Sequence, residues 1–412
     1  MRFNFYAPAS IAPPTFMVAV VVLFSSSFST NIHAAPTLKD AIESAWARHP
    51  VSQARAARLD ESAAKRDIAA SWMADAPRVS VSQKTDRWNQ NAGAREWEAE
   101  IGVPLQMPGV RTARGVVAES EASRYEAHAA AEKWRLAGDV RETYWQARVG
   151  ASDLVLAARK VTDARVLSAD VERRFKAGDA ARTDWNQALA ALKLAESAEA
   201  DARAKAFRSE RAFLSLTSLT QLPSGDESRS TVPLSLDQHP QLRELMSEAD
   251  TARARQQEAN ATRHDPPELS VGTVRERAAF GESSAGSVVL RLTVPLPSGS
   301  RNRSRQATAG AERIEAETRV PQARLRIEAD IASAAEEVSQ ATRQVEFAES
   351  RLNLTRETHA LLDKAYRLGE LDLPARLRAE ADRFDAELSH ARAQLERARS
   401  ISRLNQASGQ IP

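Results

Sequence analysis

The sequence predicts a mainly α-helical chain with a small β part, made of two copies of one helix–strand–strand–long helix–helix unit. Two observations predict it. First, landmarks recur at one spacing and in one order. His49-Pro50 returns as His239-Pro240, and Pro77-Arg78-Val79-Ser80-Val81 as Pro267-Glu268-Leu269-Ser270-Val271, each 190 residues on. Val103-Pro104-Leu105 returns as Val294-Pro295-Leu296, and Phe175-Lys176-Ala177-Gly178-Asp179 as Tyr366-Arg367-Leu368-Gly369-Glu370, each 191 residues on. A period that long is a duplicated domain-sized structure and not a solenoid unit. Second, aromatics make up only 5% of the 412 residues and glycines number 15, while Ala, Arg, Glu and Leu dominate. That is the composition of long helices and coiled coils.

Each unit reads in the same order. Thr37 to about Ala74 has helical periodicity in Leu38, Ile42, Ala45 and Trp46. Thr37 is its cap, Asp40 three residues on makes an imperfect capping box, and Pro77 ends it. A strand is expected from Arg78 to about Arg87, with Val79 and Val81 on one face. After a polar turn at Asp86 to Ala94, Trp97, Ala99, Ile101, Val103 and Leu105 alternate with Glu96, Glu98 and Glu100. The strand regions span 78–106 and, in the second unit, 268–296. There Val288, Leu290, Leu292, Val294 and Leu296 line one face, Arg291 and Thr293 the other, and Phe280 to Gly286 is the turn. Each strand is about ten residues, the length a tilted strand needs to cross a bilayer. An isolated hairpin is marginal in water, and closing several into a barrel removes their exposed edges.

Pro104 with Pro108-Gly109, and Pro295 with Pro297 and Gly299, punctuate the strand ends. Val110 to about Lys176 then reads as one helix, on the order of 100 Å if continuous. Arg301 to about Leu368 is its counterpart, interrupted only by Gly310 and Pro321. Gly178 and Gly369 break these helices. Return helices follow at about Arg182 to Leu219 and Leu371 to Asn405, which makes two antiparallel hairpins. The second return helix carries a seam at Leu377, Ala381, Phe384, Leu388, Ala391, Leu395 and Ala398; the first carries Trp185, Ala188, Leu192 and Ala195. The domain limits are 36–222 and 237–412, joined by a linker at 223–236 whose Pro223 to Pro233 stretch is rich in Ser, Gly and Asp.

Residues 1–35 read as an export signal: Arg2, an apolar stretch from Ile11 to Phe28 with its core at Met17 to Phe24, and a cleavage site at Ile32-His33-Ala34 or at Ala35. The apolar core is shorter than a membrane span. No later segment reaches spanning length, so entry into a membrane requires β-strands. With no cysteine, disulfides and a cysteine-linked lipid are excluded. The formal net charge of +2 is spread over interleaved positive and negative residues. That excludes the basic stripe of a nucleic-acid surface. No His-Glu-x-x-His, phosphate-binding glycine loop or cysteine nucleophile is present. The seven histidines are scattered; His49 and His239 read as structural. No enzyme, cofactor or metal site is expected. Asn353-Leu354-Thr355 matches a glycosylation sequon without consequence in a bacterial-type exported chain.

At this point the chain resembles the TolC-like outer-membrane efflux channel family over essentially its whole length from Thr37 to about Gly409. The residues that carry the resemblance are Thr37-Leu38-Lys39-Asp40-Ala41-Ile42 with His49-Pro50, the two Val-Pro-Leu joins, and the turns Arg174-Phe175-Lys176-Ala177-Gly178-Asp179 and Ala365-Tyr366-Arg367-Leu368-Gly369-Glu370-Leu371-Asp372. The wording Leu368-Gly369-Glu370-Leu371-Asp372-Leu373-Pro374 looks like the heavy-metal, CzcC-like branch of tripartite efflux systems.

The resemblance implies a homotrimer in the outer membrane. Three chains of four strands would close a twelve-stranded barrel, continued by a helical tunnel across the periplasm. Such a channel is the passive exit duct of an inner-membrane pump of the RND type and a periplasmic adaptor. On that reading the apolar strand faces meet lipid, and Glu98, Glu100 and Arg291 line the lumen. Gly178, Asp179, Gly369 and Glu370 form the periplasmic tip that meets the adaptor. Matched turn to turn, Thr183, Asp184 and Tyr366 fall where the family closes its aperture. A Tyr–carboxylate hydrogen bond there would be worth about 1.5–3 kcal/mol. Asp184 equally suits the first turn of a helix, where its charge meets the positive end of the dipole. The sequence departs from the best-known pattern at Ala375, Arg378 and Leu371. On the same comparison, Arg378 in place of a constriction aspartate would make the tip less cation-selective. Other readings are a multidrug or type I secretion channel of the same fold and, from a different class, a periplasmic adaptor or coiled-coil scaffold. An adaptor would carry one helical hairpin and large β-domains. Substrate would be chosen by the pump or adaptor and not by the duct.

Overall fold

The computed structural model describes residues 36–230, 235–296 and 299–412. The expected export signal, Pro297 and the end of the expected linker at Thr231, Val232 and Pro233 lie outside them. Helix α1, Leu38–Ala47, starts on the predicted capping box: the Thr37 hydroxyl accepts from the Asp40 amide, and Asp40 accepts from the Thr37 amide at 2.8 Å. The helix expected to run unbroken to Ala74 does not. It stops at Ala47, followed by the single turn α2, Pro50–Gln53, and α3, Arg55–Ala70. Proline forces the residue before it out of the helical region, and His49 sits at φ −66°, ψ 137°. The last expected turn is unwound because its backbone joins the sheet. The Ala74 amide donates to Pro104 and the Gln106 amide to Trp72, each at 2.8 Å.

Strands β1 (Arg78–Thr85), β2 (Arg95–Pro104), β3 (Glu268–Arg277) and β4 (Ala285–Thr293) form one antiparallel sheet in the order β1-β2-β3-β4. The turn expected at Phe280 to Gly286 ends at Ser284, since Ala285 and Gly286 are already paired with β3. The two repeats meet at β2–β3, where Ile101 lies opposite Val271. One rung therefore reads Val79, Ile101, Val271, Leu290 across all four strands. These side chains are 74%, 49%, 47% and 71% exposed. A water-soluble hairpin packed on helices buries its apolar face; this sheet leaves that face exposed and ties its charged face together by ion pairs.

Helix α4, Pro108–Ala177, and helix α7, Gly299–Arg367, are continuous over 70 and 69 residues, roughly 100 Å each. Pro321, expected to interrupt α7, is carried inside it. Long neighbours on both sides hold the helix: α7 packs along both α6 (Pro240–Ala261) and α8 (Leu373–Ala407). Helix α5 (Arg182–Thr217) returns along α4. The main core sits midway along α4, where Tyr144, Trp145 and Val140 pack with Ile42 and Phe213. A second cluster near the turns holds Leu167, Val171, Ala188, Tyr366 and Leu373.

The seam on α5 is as expected, with Ala188 and Ala195 buried. That on α8 is half of the story. Phe384 and Ala398 are buried, but Ala381 is exposed, while Ala379 and Ala386 are buried. Helix α8 touches α4 as well as α7, so it needs two contact lines. The polar linker is strapped down. Glu227 accepts from Arg141 Nη2 at 2.6 Å, Ser402 at 2.6 Å and Asn405 at 2.8 Å, and the Tyr144 hydroxyl donates to the Gly225 carbonyl.

Candidate functional site

Two places collect the predicted functional residues. On the charged face of the sheet, Arg291 donates to Glu98 at 3.0 Å and to Glu100. The three residues expected to line one surface thus form one ion-pair cluster. The Glu98 and Glu100 side chains are only 21% and 13% exposed, against roughly half or more for the apolar rung behind them. Lys84 joins the same face through Glu96 at 3.1 Å.

The helix turns are the second place. Each long helix ends on a glycine in the left-handed region, Gly178 at φ +87° and Gly369 at φ +80°, where any other residue is strained. The same pair of hydrogen bonds closes both turns. The Gly178 amide donates to Phe175 and Asp179 to Arg174; the Gly369 amide donates to Tyr366 and Glu370 to Ala365. This Schellman closure satisfies the last carbonyls of each helix. It leaves Asp179 and Glu370 exposed at the tip.

Of the four expected aperture residues, the structure brings only Tyr366 into a packed site. It is buried, and two guanidinium groups lie over its ring, Arg174 at 5.1 Å and Arg376 at 4.9 Å. Burial pushes its hydroxyl pKa up and the two arginines pull it back. Asp184 lies in the first turn of α5, and no hydrogen bond joins it to Tyr366. Thr183 is exposed, and Arg378 is exposed with its Nε donating to the Pro374 carbonyl at 3.3 Å. Arg376 is held in turn by Asp363 at 2.8 Å. Sequence reading missed Arg376 and Asp363. A signal existed, because the 191-residue register places Arg376 on Trp185, which stacks on Phe175 at 5.2 Å.

Above the turns, the hairpins are tied to each other by ion pairs from α4 to α8: Asp163–Arg383 at 2.7 Å, Asp153–Arg392 at 2.8 Å, and Glu142–Arg399. His359 and Glu380 sit among these charges. Burial pushes the Glu380 carboxyl pKa up, opposed by Arg376 and Arg383. Burial also pushes the His359 imidazole down, and Arg383 adds to that. The two repeat histidines occupy matched places, each directly before the proline that opens a helix; His49 stacks on Trp46 and His239 meets Trp134 edge-on. Among the described residues no group of His, Cys, Asp and Glu could hold a metal ion. No described helix is long and apolar enough to cross a membrane.

The family model for outer membrane efflux proteins matches residues 41–218 and 231–410, one match per repeat. No curated protein matches the sequence. Solved structures do match in fold. A membrane protein from Pseudomonas aeruginosa is 17% identical with a TM-score of 0.74, covering 90% of this chain and 93% of its own. The channel CusC is 17% identical with a TM-score of 0.74, covering 91% and 92%. The outer membrane protein VceC from Vibrio cholerae is 17% identical with a TM-score of 0.72, covering 90% and 96%.

Proposed function

The chain belongs to the outer membrane efflux protein family, and from that premise we propose that it is the outer-membrane exit duct of a tripartite pump for divalent heavy-metal cations. It is a transport protein and not an enzyme. The observation that carries the duct reading is the two-sided sheet, with one exposed apolar face and, on the other face, Glu98, Glu100 and Arg291 joined in one ion-pair cluster. Lipid takes the first surface and a water-filled lumen the second. The outer edges of β1 and β4 have no strand partner among the described residues. Three copies closing edge to edge supply the missing partners. Phe347, Leu354, Leu361 and Leu368 on and just beyond α7 are exposed at seven-residue intervals, a coiled-coil seam suited to a neighbouring copy.

In this reading residues 1–35 are removed on export, and 36–222 and 237–412 are the two efflux repeats. The helices cross the periplasm towards the inner-membrane pump. Gly178, Asp179, Gly369 and Glu370 meet the periplasmic adaptor. The aperture is held at Tyr366, with Asp184, Thr183 and Arg378 at its rim and Arg174 and Arg376 clamping the ring. The metal cargo is supported by the wording of the second turn, Leu368-Gly369-Glu370-Leu371-Asp372-Leu373-Pro374. It passes without a resident site.

A strain deleted for this gene, grown with Zn, Cd, Co, Ni or Cu and beside a drug panel, tests the cargo. Sensitivity to divalent metals alone supports it. Sensitivity to drugs with unchanged metal tolerance discards the metal cargo and leaves the duct. Charge reversal at Asp179 and Glu370 should weaken crosslinking to the adaptor; normal crosslinking moves the docking site elsewhere.

A further inference from the structure

The outward face of the sheet carries a second pattern at the ends of the strands next to the 86–94 and 278–284 turns. Alternation puts Arg95, Trp97, Ala99 and Ile101 of β2 on the same side, and the register sets Arg277 directly opposite Arg95 and Arg275 directly opposite Trp97. Three arginines and a tryptophan therefore cap the apolar band formed by Val79, Ile101, Val271 and Leu290. Like charges directly opposite each other in an antiparallel ladder are destabilising. The sheet shows how such a pair can be relieved. On the inward face Glu96 lies opposite Glu276, and Lys84 sits on Glu96 at 3.1 Å. No carboxylate among the described residues forms an ion pair with Arg95, Arg275 or Arg277. Arg277 is held at the rim by the Gly93 carbonyl at 3.3 Å and by the Phe280 ring at 5.7 Å, and neither contact neutralises it.

We infer that this arginine triad is a binding surface for the phosphate groups of outer-leaflet lipid, with Trp97 marking the interface depth. The inference rests on the barrel reading above, which places this face against lipid. Guanidinium groups pair with phosphate through two parallel hydrogen bonds and are less strongly hydrated than ammonium groups. An anion shared between Arg95 and Arg277 turns their repulsion into a bridge. The triad lies outside the apolar band, at headgroup depth, where tryptophan is enriched. Three copies around a barrel would present the surface three times.

Native mass spectrometry of the detergent-extracted assembly tests this, with lipid A carrying its phosphates, dephosphorylated lipid A, and inorganic phosphate as probes. The wild type should retain phosphorylated lipid A in preference to the dephosphorylated form, and inorganic phosphate at equal concentration should not displace it. Arg95→Gln/Arg275→Gln/Arg277→Gln should weaken retention about tenfold or more while channel conductance persists. Arg275→Gln alone, at a residue with no ion-pair partner among the described residues, should weaken it in part without touching the fold. Equal retention by wild type and triple variant, or equal retention of both lipids, overturns the inference and leaves the barrel standing. Displacement by inorganic phosphate reassigns the triad to free anions and overturns the lipid source. If the wild type forms no conducting channel in bilayers, the barrel reading itself falls and this inference with it.

Discussion

The two helical hairpins share a backbone and differ in what fills it. Both turns close on a left-handed glycine with the same hydrogen bonds. In the first, the ring of Phe175 lies on Trp185, 11° from parallel. In the second, the equivalent pair is Tyr366 and Arg376, and Arg174 of the first hairpin also lies over the tyrosine ring. The same register sets Glu380 on Leu189, Arg383 on Leu192 and His359 on Ser168. Thus the first return helix presents Trp185, Leu189 and Leu192 where the second presents Arg376, Glu380 and Arg383. Duplication preserved the turn geometry, which glycine and backbone hydrogen bonding fix locally. It freed the second hairpin to grip the first through charge, while the first closes on itself through aromatic contact.

The largest effect should come from truncating the shared ring. Tyr366→Ala should cost about 3 kcal/mol, since it empties a buried aromatic site, and should raise ion conductance in planar bilayers. Phe175→Ala should cost about 1 kcal/mol, because that ring is half-exposed and loses mainly its stack. Tyr366→Phe keeps the ring that its two guanidinium groups lie over and should stay near wild type. If Asp184→Ala with Tyr366→Phe raises conductance as much as Tyr366→Ala does, the hydroxyl and Asp184 are the gate and the arginine clamp is not.

Next in size, Arg376→Ala should destabilise by about 2 kcal/mol in thermal unfolding. It removes the clamp and leaves Asp363 with Arg367 alone. A wild-type melting curve for this variant would make the second hairpin's charges ornamental.

Helix starts differ too. Helix α8 begins on Asp372, whose carboxylate accepts from the Ala375 amide at 2.9 Å, whereas α5 begins on Ala181 with no side-chain cap. Asp372→Ala should lose about 1 kcal/mol and Ala181→Asp should gain about 0.5–1 kcal/mol. Equal changes in hydrogen exchange at both turns would mean that capping does not set their stability.

The smallest effect is pH dependence, and it should reside in the second hairpin. His359 has a folded pKa below its ordinary 6.5. The unfolded chain therefore binds its proton more readily, and the hairpin loses stability as pH falls through 6.5. Glu380 has a folded pKa above its ordinary 4.5, so its contribution runs the other way: full below 4.5 and lost as pH rises through the raised value. His359→Gln should flatten the decline just below pH 6.5, and Glu380→Gln should stabilise the protein at neutral pH. Ser168→Ala in the first hairpin should leave the pH profile unchanged.

What the sequence determined alone is short-ranged or periodic. The 190- to 191-residue recurrence, the capping box at Thr37, the glycine turns, the run of α4 and the alternation that sets Glu98 and Glu100 against Trp97 and Ile101 all follow from local backbone chemistry and side-chain period. Local signals misled where distant packing outweighed them. Pro321 did not break α7, Trp72 to Ala74 left the helix to pair with Pro104 and Gln106, and α8 needed a second contact line against α4. Only the tertiary structure decided the partners of Tyr366, the pairing of Arg291 with both glutamates, and the capture of Glu227 by Arg141. Those partners come from elements that lie up to about a repeat apart in the chain. A charged side chain can reach several neighbours from one helical position, and which of them stands there is settled by packing, which no local pattern encodes.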